Sequence, residues 1–285
     1  MVRKDWHTHS MRARPIVLLL AALLALATSG AAASASSDDA VQASVLAPSF
    51  VAIDASTGHV LVAKGAGIRR PIASLTKVMT ALTVIERGNL KRRVVVALAA
   101  TRVEPYNEGL VAGRAYTRET LLWSALLGSN NDSATALAID AGNGSLATYY
   151  ALANRTAKAL GMQATTYTSA SGLDDVTNLS TARDQAVLAR AALQNPTFAR
   201  IVATRTRSTK WAAPTYTKEW VNHNKMLGTT PGTYGVKTGW TTRAGGCLIV
   251  AVRRGEHAVI GVVLDSPSIW SDMAALLGIA FGRIT

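Results

Sequence analysis

Cysteine is nearly absent. Cys247 is the single thiol in 285 residues, so no internal disulfide can form and stability has to come from packing. It sits in an apolar strand pattern without a neighbouring cation or base, which reads as a small buried hydrophobe rather than a reactive thiol. Histidine is scarce as well. Beyond residue 33 only His59, His223 and His257 occur, and no G-x-S-x-G is present, which argues against a conventional Ser-His-Asp hydrolase. The one His-x-His, His7 and His9, lies in the first segment. No other ligand-spaced cluster exists, so neither a metal nor another cofactor is expected. Glutamate is missing altogether between Glu119 and Glu219. Long apolar runs are missing too: Ile16–Ala27 has about a dozen residues, too short for a comfortable membrane span, and no second run reaches that length.

Acidic residues are outnumbered, 17 Asp and Glu against 30 Lys and Arg, for a formal charge of +13. Such a balance favours polyanionic partners. Arg12 and Arg14 precede the apolar Ile16–Ala27, and small residues, Ala31-Ala32-Ala33, follow. This is the anatomy of a Sec-type signal peptide over residues 1–33, with no twin-arginine pair. Export directs the expected polyanion away from nucleic acid and towards anionic wall polymers or lipid headgroups, at the cell wall or the outer face of the membrane. Removing residues 1–33 would still leave +10. Residues 34–47, rich in Ala, Ser and Asp, read as a flexible linker.

The chain as a whole is 49% hydrophobic, ample for a large core in the part from residue 48 on. Ser49–Ala55 and His59–Ala63 alternate around Ser56-Thr57-Gly58 as a β-hairpin. Pro71 to Gly88 reads as one amphipathic helix, apolar nearly all round and therefore buried. Residues 101–116 read as loop. Thr117 caps a helix through Leu127, the GSNNDS of 128–133 breaks the pattern, and an Ala-rich helix runs to Asp140. Ser145 caps a helix ending near Gly161, 162–180 form a polar loop, and Thr181 with Asp184 begin a helix that stops before Pro196. Residues 201–222 are β-like and basic, three strands follow (Gly232–Trp240, Leu248–Val252, His257–Leu264), and Trp270–Phe281 closes as a helix. Strands at both ends and helices between them predict an α/β fold of the α+β type. Its antiparallel sheet of about five strands is flanked by helices, and a mostly helical lobe is inserted at roughly 67–200.

Three stretches carry chemistry together. Ser74 and Lys77 are i and i+3 on a helix, with Cβ atoms about 5–6 Å apart, near an N-terminus whose N–H groups are unpaired and whose dipole is positive. Ser129-Asn130-Asn131 lies in the break between two helices, and Lys237-Thr238-Gly239 on a strand. Each alone is weak: such a triplet is usually a turn or a strand end. In this order they match the SxxK, SDN and KTG set. With the blocks IASLTKVMTALTVIE, ALLGSNNDSATALA, SGLDDVTNLSTARDQAVLARA, NHNKMLG and GVKTGWTTRAGGCLIVAV, the chain from about Phe50 to Phe281 resembles the serine D-alanyl-D-alanine carboxypeptidases, the low-molecular-mass penicillin-binding proteins.

The resemblance implies a β-lactamase/transpeptidase-like fold and removal of the terminal D-alanine from peptidoglycan stem peptides, with β-lactams as covalent inhibitors. Ser74 would be the nucleophile and Lys77 its general base. Ser129 would relay a proton and Asn131 would orient. Lys237, Thr238 and Gly239 would hold the substrate carboxylate, and the Trp240 backbone would donate to the oxyanion. A lysine base needs its proton affinity depressed, by burial and by the second cation Lys237. Two departures stand out: Asn130 replaces the glycine of the usual SGN, and the loop before the last helix lacks an arginine, so carboxylate binding is expected to lean on Arg243. The further β-rich C-terminal domain of most relatives is not expected. The alternatives are a D,D-endopeptidase, a class A-like β-lactamase (for which the deacylating glutamate is missing from the 165–180 loop) and a non-catalytic binder of wall polymer or β-lactam.

Overall fold

The computed structural model describes residues 44–173, 175–211 and 215–284. The signal segment and most of the expected linker lie outside these residues. The end of that linker is held fast: Val45 and Ala47 are fully buried, and the Leu46 and Ala47 N–H groups donate to the Asp272 carboxylate at 2.8 and 2.9 Å.

The chain opens with β1 (Ser49–Asp54) and β2 (Val60–Lys64), then a two-residue strand β3 (Arg70–Pro71) and the buried helix α1 (Thr76–Glu86). β4 (Arg93–Val95) pairs with β5 (Ala115–Thr117), which leads into α2 (Arg118–Leu126). The helices α3 (Asn131–Ala141) and α4 (Leu146–Ala159) follow, then β6 (Leu179–Ser180), α5 (Ala182–Leu193) and α6 (Pro196–Ala203). A hairpin of β7 (Thr206–Trp211) and β8 (Tyr216–Val221) precedes the short α7 (Met226–Thr229). The chain ends with β9 (Thr233–Thr241), β10 (Gly245–Arg254), β11 (His257–Ser266) and α8 (Ile269–Gly282).

The main sheet is antiparallel and five-stranded, in the order β2-β1-β11-β10-β9. Successive strand residues point to opposite faces, and both faces here are covered. Phe50, Leu248, Val250 and Val263 pack on α8 with Met273 and Leu276, whereas Val51, Ile53, Ile249 and Val262 join the core shared with α1 and the helical lobe. Two-sided burial explains why β10 and β11 read as near-continuous apolar runs. At about 1.5–3 kcal/mol for each fully buried Val, Leu, Ile or Phe, these layers carry most of the favourable term.

Several expectations change in detail. Pro71–Gly88 is not one helix: Pro71 is held in β3 by pairing with Leu179, Ala73–Leu75 form a 3-10 turn, and only Thr76–Glu86 is α-helical. The 101–116 stretch starts within a 3-10 turn, Leu98–Arg102, and ends in β5. The helical lobe extends past residue 200, because Asn195 caps α6, accepting from the Thr197 and Phe198 N–H groups, with Pro196 at the first helical position. The 201–222 stretch therefore begins as helix and becomes a hairpin only at Thr206. Thr117, Ser145 and Thr181 cap their helices as expected.

Candidate active site

Ser74 sits in the 3-10 turn that feeds α1, and the turn is forced. Ala73 is left-handed at φ +47, a region in which residues other than glycine are uncommon. The 171–173 loop packs directly beneath it. A Cβ on Gly172 (φ +85) would fall 1.8 Å from the Ala73 carbonyl oxygen. That close approach holds Ser74 at the mouth of a cleft while its helix continues into the core.

Lys77, one turn on, is 1% exposed. Its Nζ lies 2.7 Å from Ser74 Oγ, 2.7 Å from Asn131 Oδ1 and 2.8 Å from the Ser171 carbonyl oxygen. Lys237, on β9, is equally buried, with Nζ 3.0 Å from Ser129 Oγ and 2.9 Å from the Thr238 carbonyl oxygen. Among the described residues neither amine forms an ion pair. Burial therefore pushes both below the ordinary lysine value, Lys237 to about 7. Lys77 falls well below, first through burial and then through the nearby Lys237, with Asp132 opposing.

Ser129 is itself left-handed at φ +58, which turns the chain between α2 and α3. Asn130, the departure from glycine, has φ −70 and needs no glycine. Its side chain turns into the protein, donating to Glu108 Oε2 at 2.7 Å and to Ser124 Oγ at 3.0 Å. Gly239 brings β9 against the nucleophile, since a Cβ there would lie 2.8 Å from the Ser74 backbone nitrogen.

These elements enclose an open cleft of about 450 Å³. Ser74, Ser129, Asn131, Thr238, Gly239 and Trp240 line it, with Lys77 and Lys237 behind. Arg243 does not line it. It is exposed on the turn between β9 and β10, next to Thr242, which does line the cleft. Sequence reasoning missed Tyr106, His223 and Trp270, which also line the cleft. The signal for His223 was its flanking asparagines. Asn222 donates to the Val202 and Thr204 carbonyls and Asn224 to that of Gly235, pinning the segment beside β9. Burial, then Lys237 and Lys77, lowers the proton affinity of its imidazole. Among the described residues no group of three or more His, Cys, Asp or Glu is placed to hold a metal, and no helix is long and apolar enough to cross a membrane.

A serine hydroxyl with a buried lysine beside it, and a second serine and lysine close by, is an arrangement suited to a serine hydrolase. Residues 33–268 match the family described as D-alanyl-D-alanine carboxypeptidase, and the chain belongs to that peptidase family. It is similar to a D-alanyl-D-alanine carboxypeptidase of Streptomyces sp., 34% identical over 233 residues, covering 76% of this chain and 80% of the relative. It is 32% identical over 233 residues to a D-alanyl-D-alanine endopeptidase of Escherichia coli, covering 80% and 74%. The crystal structure of a Streptomyces DD-transpeptidase superposes with a TM-score of 0.78 at 32% identity, over 84% of this chain and 98% of that one.

Proposed function

We propose that the protein is a serine D-alanyl-D-alanine carboxypeptidase. It removes the terminal D-alanine from peptidoglycan stem pentapeptides through an acyl-enzyme on Ser74, and penicillin acylates the same serine. The observation that carries this reading is Lys77: a buried amine that forms no ion pair among the described residues, 2.7 Å from the Ser74 hydroxyl.

A neutral amine has two N–H groups and one lone pair. Asn131 Oδ1 and the Ser171 carbonyl take the two N–H groups, so the lone pair faces Ser74 and accepts its proton as Oγ attacks the carbonyl carbon. The resulting oxyanion is met by the Ser74 and Trp240 backbone N–H groups, where one donor is typically worth about 3–4 kcal/mol of barrier. The C–N bond then breaks. Ser129, hydrogen-bonded to Lys237, passes the proton from Lys77 to the departing D-alanine nitrogen, and water later cleaves the ester with Lys77 again as base. Lys237 and the Thr238 hydroxyl bind the substrate's terminal carboxylate. An arriving carboxylate favours the protonated form of Lys237, so substrate brings the cation it needs. β9 ends the sheet, and its outer edge can pair with the stem peptide as an added strand.

A β-lactamase needs a base for rapid deacylation, and no glutamate lines the cleft. Penicillin should therefore acylate and leave slowly. Similarity to an endopeptidase makes a cross-linked dimer the second substrate to assay. We place the catalytic domain at 48–285, behind an exported leader at 1–33 and a linker. The basic surplus would hold it on anionic wall polymers or lipid headgroups, so its attachment to isolated walls should weaken with salt. The deciding experiment is mass spectrometry after penicillin. Wild type should gain one covalent adduct and Ser74→Ala none, and an unmodified wild type would overturn the reading.

A further inference from the structure

Glu108 lies outside the set of residues that resemblance assigns, yet its carboxylate is heavily bonded next to the site. The side chain is fully buried. Oε2 accepts from Ser124 Oγ on α2 at 2.6 Å, from Asn130 Nδ2 at 2.7 Å and from the Trp220 indole N–H on β8 at 2.6 Å. Oε1 lies 2.6 Å from Lys218 Nζ, also on β8. Three hydrogen-bond donors and one ammonium group, from three parts of the fold, meet on one buried acid.

The surrounding geometry ties this acid to the cleft. Glu108 belongs to the loop whose Pro105 and Tyr106 line the cleft. The Asn131 side-chain amide donates to the Pro105 carbonyl, and the Asn131 N–H donates to that of Tyr106 at 2.9 Å. Asp132 accepts from the Glu108, Gly109 and Leu110 N–H groups at 2.9–3.0 Å. Gly128 leaves room for the junction: a Cβ there would stand 2.6 Å from Asn130 Nδ2 and 3.2 Å from the Trp220 ring. Ser129 lies between Gly128 and Asn130 in its left-handed conformation, which persists only where the surroundings over-determine it.

We propose that Glu108 is a positioning residue. Through the Asn130 amide it fixes the turn that aims Ser129 at Lys237 and Asn131 at Lys77, and through Lys218 it makes the β7–β8 hairpin part of that mount. Asn130 in place of glycine is then a gain: its side chain supplies the anchor that a glycine would lack. The hairpin, which stacks on the lobe through Trp211 on Tyr116 at 4.8 Å between centroids, thereby acts on the geometry of the cleft without entering it.

The inference rests on the acyl-enzyme reading, and the test separates the two. Glu108→Gln, Asn130→Gly, their double variant, Lys218→Met and Lys218→Arg are compared with wild type for penicillin acylation rate, for kcat and KM on a D-Ala-D-Ala pentapeptide, and for thermal unfolding. A displacement of about 1 Å in a reacting group can cost on the order of 100-fold. Glu108→Gln and Asn130→Gly should each lower kcat and the acylation rate by ~10–100-fold with KM nearly unchanged, and the double variant should lose little more than either single. Lys218→Met, on a partly exposed side chain that leaves the core intact, should lose activity in the same pattern, and Lys218→Arg should recover it. Unchanged kcat in a folded Glu108→Gln, additive losses in the double variant, or equal behaviour of Lys218→Met and Lys218→Arg would overturn the proposal. Wild type that penicillin does not acylate would instead sink the catalytic reading.

Discussion

Replacing Lys237 with methionine should stabilise the protein, and by an amount that depends on pH in a defined way. Lys237 holds a proton with a value of about 7 in the folded chain against an ordinary 10.5. Its folded value is depressed, so the unfolded chain binds the proton more tightly. The energetic penalty of burying the amine is largest below pH 7 and fades as pH rises towards 10.5. At about 1.4 kcal/mol per pH unit, the penalty is about 4 kcal/mol at pH 7 and falls below about 1 kcal/mol near pH 10.5. Methionine fills a similar volume without the charge. Lys237→Met should therefore exceed wild type by up to about 4 kcal/mol near pH 7, less about 1 kcal/mol for bonds lost to Ser129 and the Thr238 carbonyl. The gap should close on the way to pH 10. Urea unfolding of both proteins at each pH from 6 to 10 measures it; titrating groups away from Lys237 cancel in the difference, whereas Lys77 and His223, which feel its charge, shift with it. A gap that does not change with pH would refute the reasoning, because it would mean that water reaches the amine and that Lys77 faces an ordinary neighbour. Under the proposed function the same variant should also lose carboxylate-dependent substrate binding, read as a raised KM on the pentapeptide.

Acylation by penicillin should slow as pH falls, approaching tenfold per unit on the acid limb, because Lys77 must be neutral to accept the Ser74 proton. A rate with no acid limb anywhere in the range where the protein stays folded, in stopped-flow experiments, would contradict its role. Gly239→Ala places a Cβ 2.8 Å from the Ser74 nitrogen and should reduce acylation by about 100-fold or more, as loss of an oxyanion donor does. A crystal structure of the variant should show β9 moved away from the serine. Asp272→Ala removes the acceptor for Leu46, Ala47 and Ser266. It should cost about 3 kcal/mol in urea unfolding, with little change in the acylation rate of the protein that remains folded.

Much of this site was legible because its chemistry is local. Ser74 and Lys77 are one turn apart, and the KTG lysine lies on a strand whose apolar neighbours mark its burial. The sheet was legible for the same reason, since CLIVAV and AVIGVVL have no polar alternation and must be covered on both faces. The sequence is silent where long-range backbone approach decides. Nothing in Pro71–Leu75 announces that Gly172, nearly 100 residues on, would press beneath Ala73 and bend the start of the helix into a 3-10 turn. Arg243, expected from the sequence to help bind the carboxylate, does not line the cleft, although its neighbour Thr242 does. Asn130 stood out only as a departure from the usual glycine because its residue type was visible and its partner, Glu108, 22 residues earlier, was not. The helix Pro196–Ala203 could have been found: an asparagine before proline is a helix start, and the basic residues after it drew the reading towards strand.

The register of the main sheet has a bearing on how the chain assembles. Ser49 lies opposite Leu264 and Asp54 opposite Val259, so β1 meets one of its two neighbours only after more than 200 further residues exist. The lobe from α1 to α6 draws on nearer partners and is complete by Ala203. Long-range pairing of this kind is slow, and an apolar strand waiting for it is open to wrong partners. The earliest strand to be synthesised is thus among the last to be secured, and a nascent chain is most exposed to aggregation in the interval before β11 emerges.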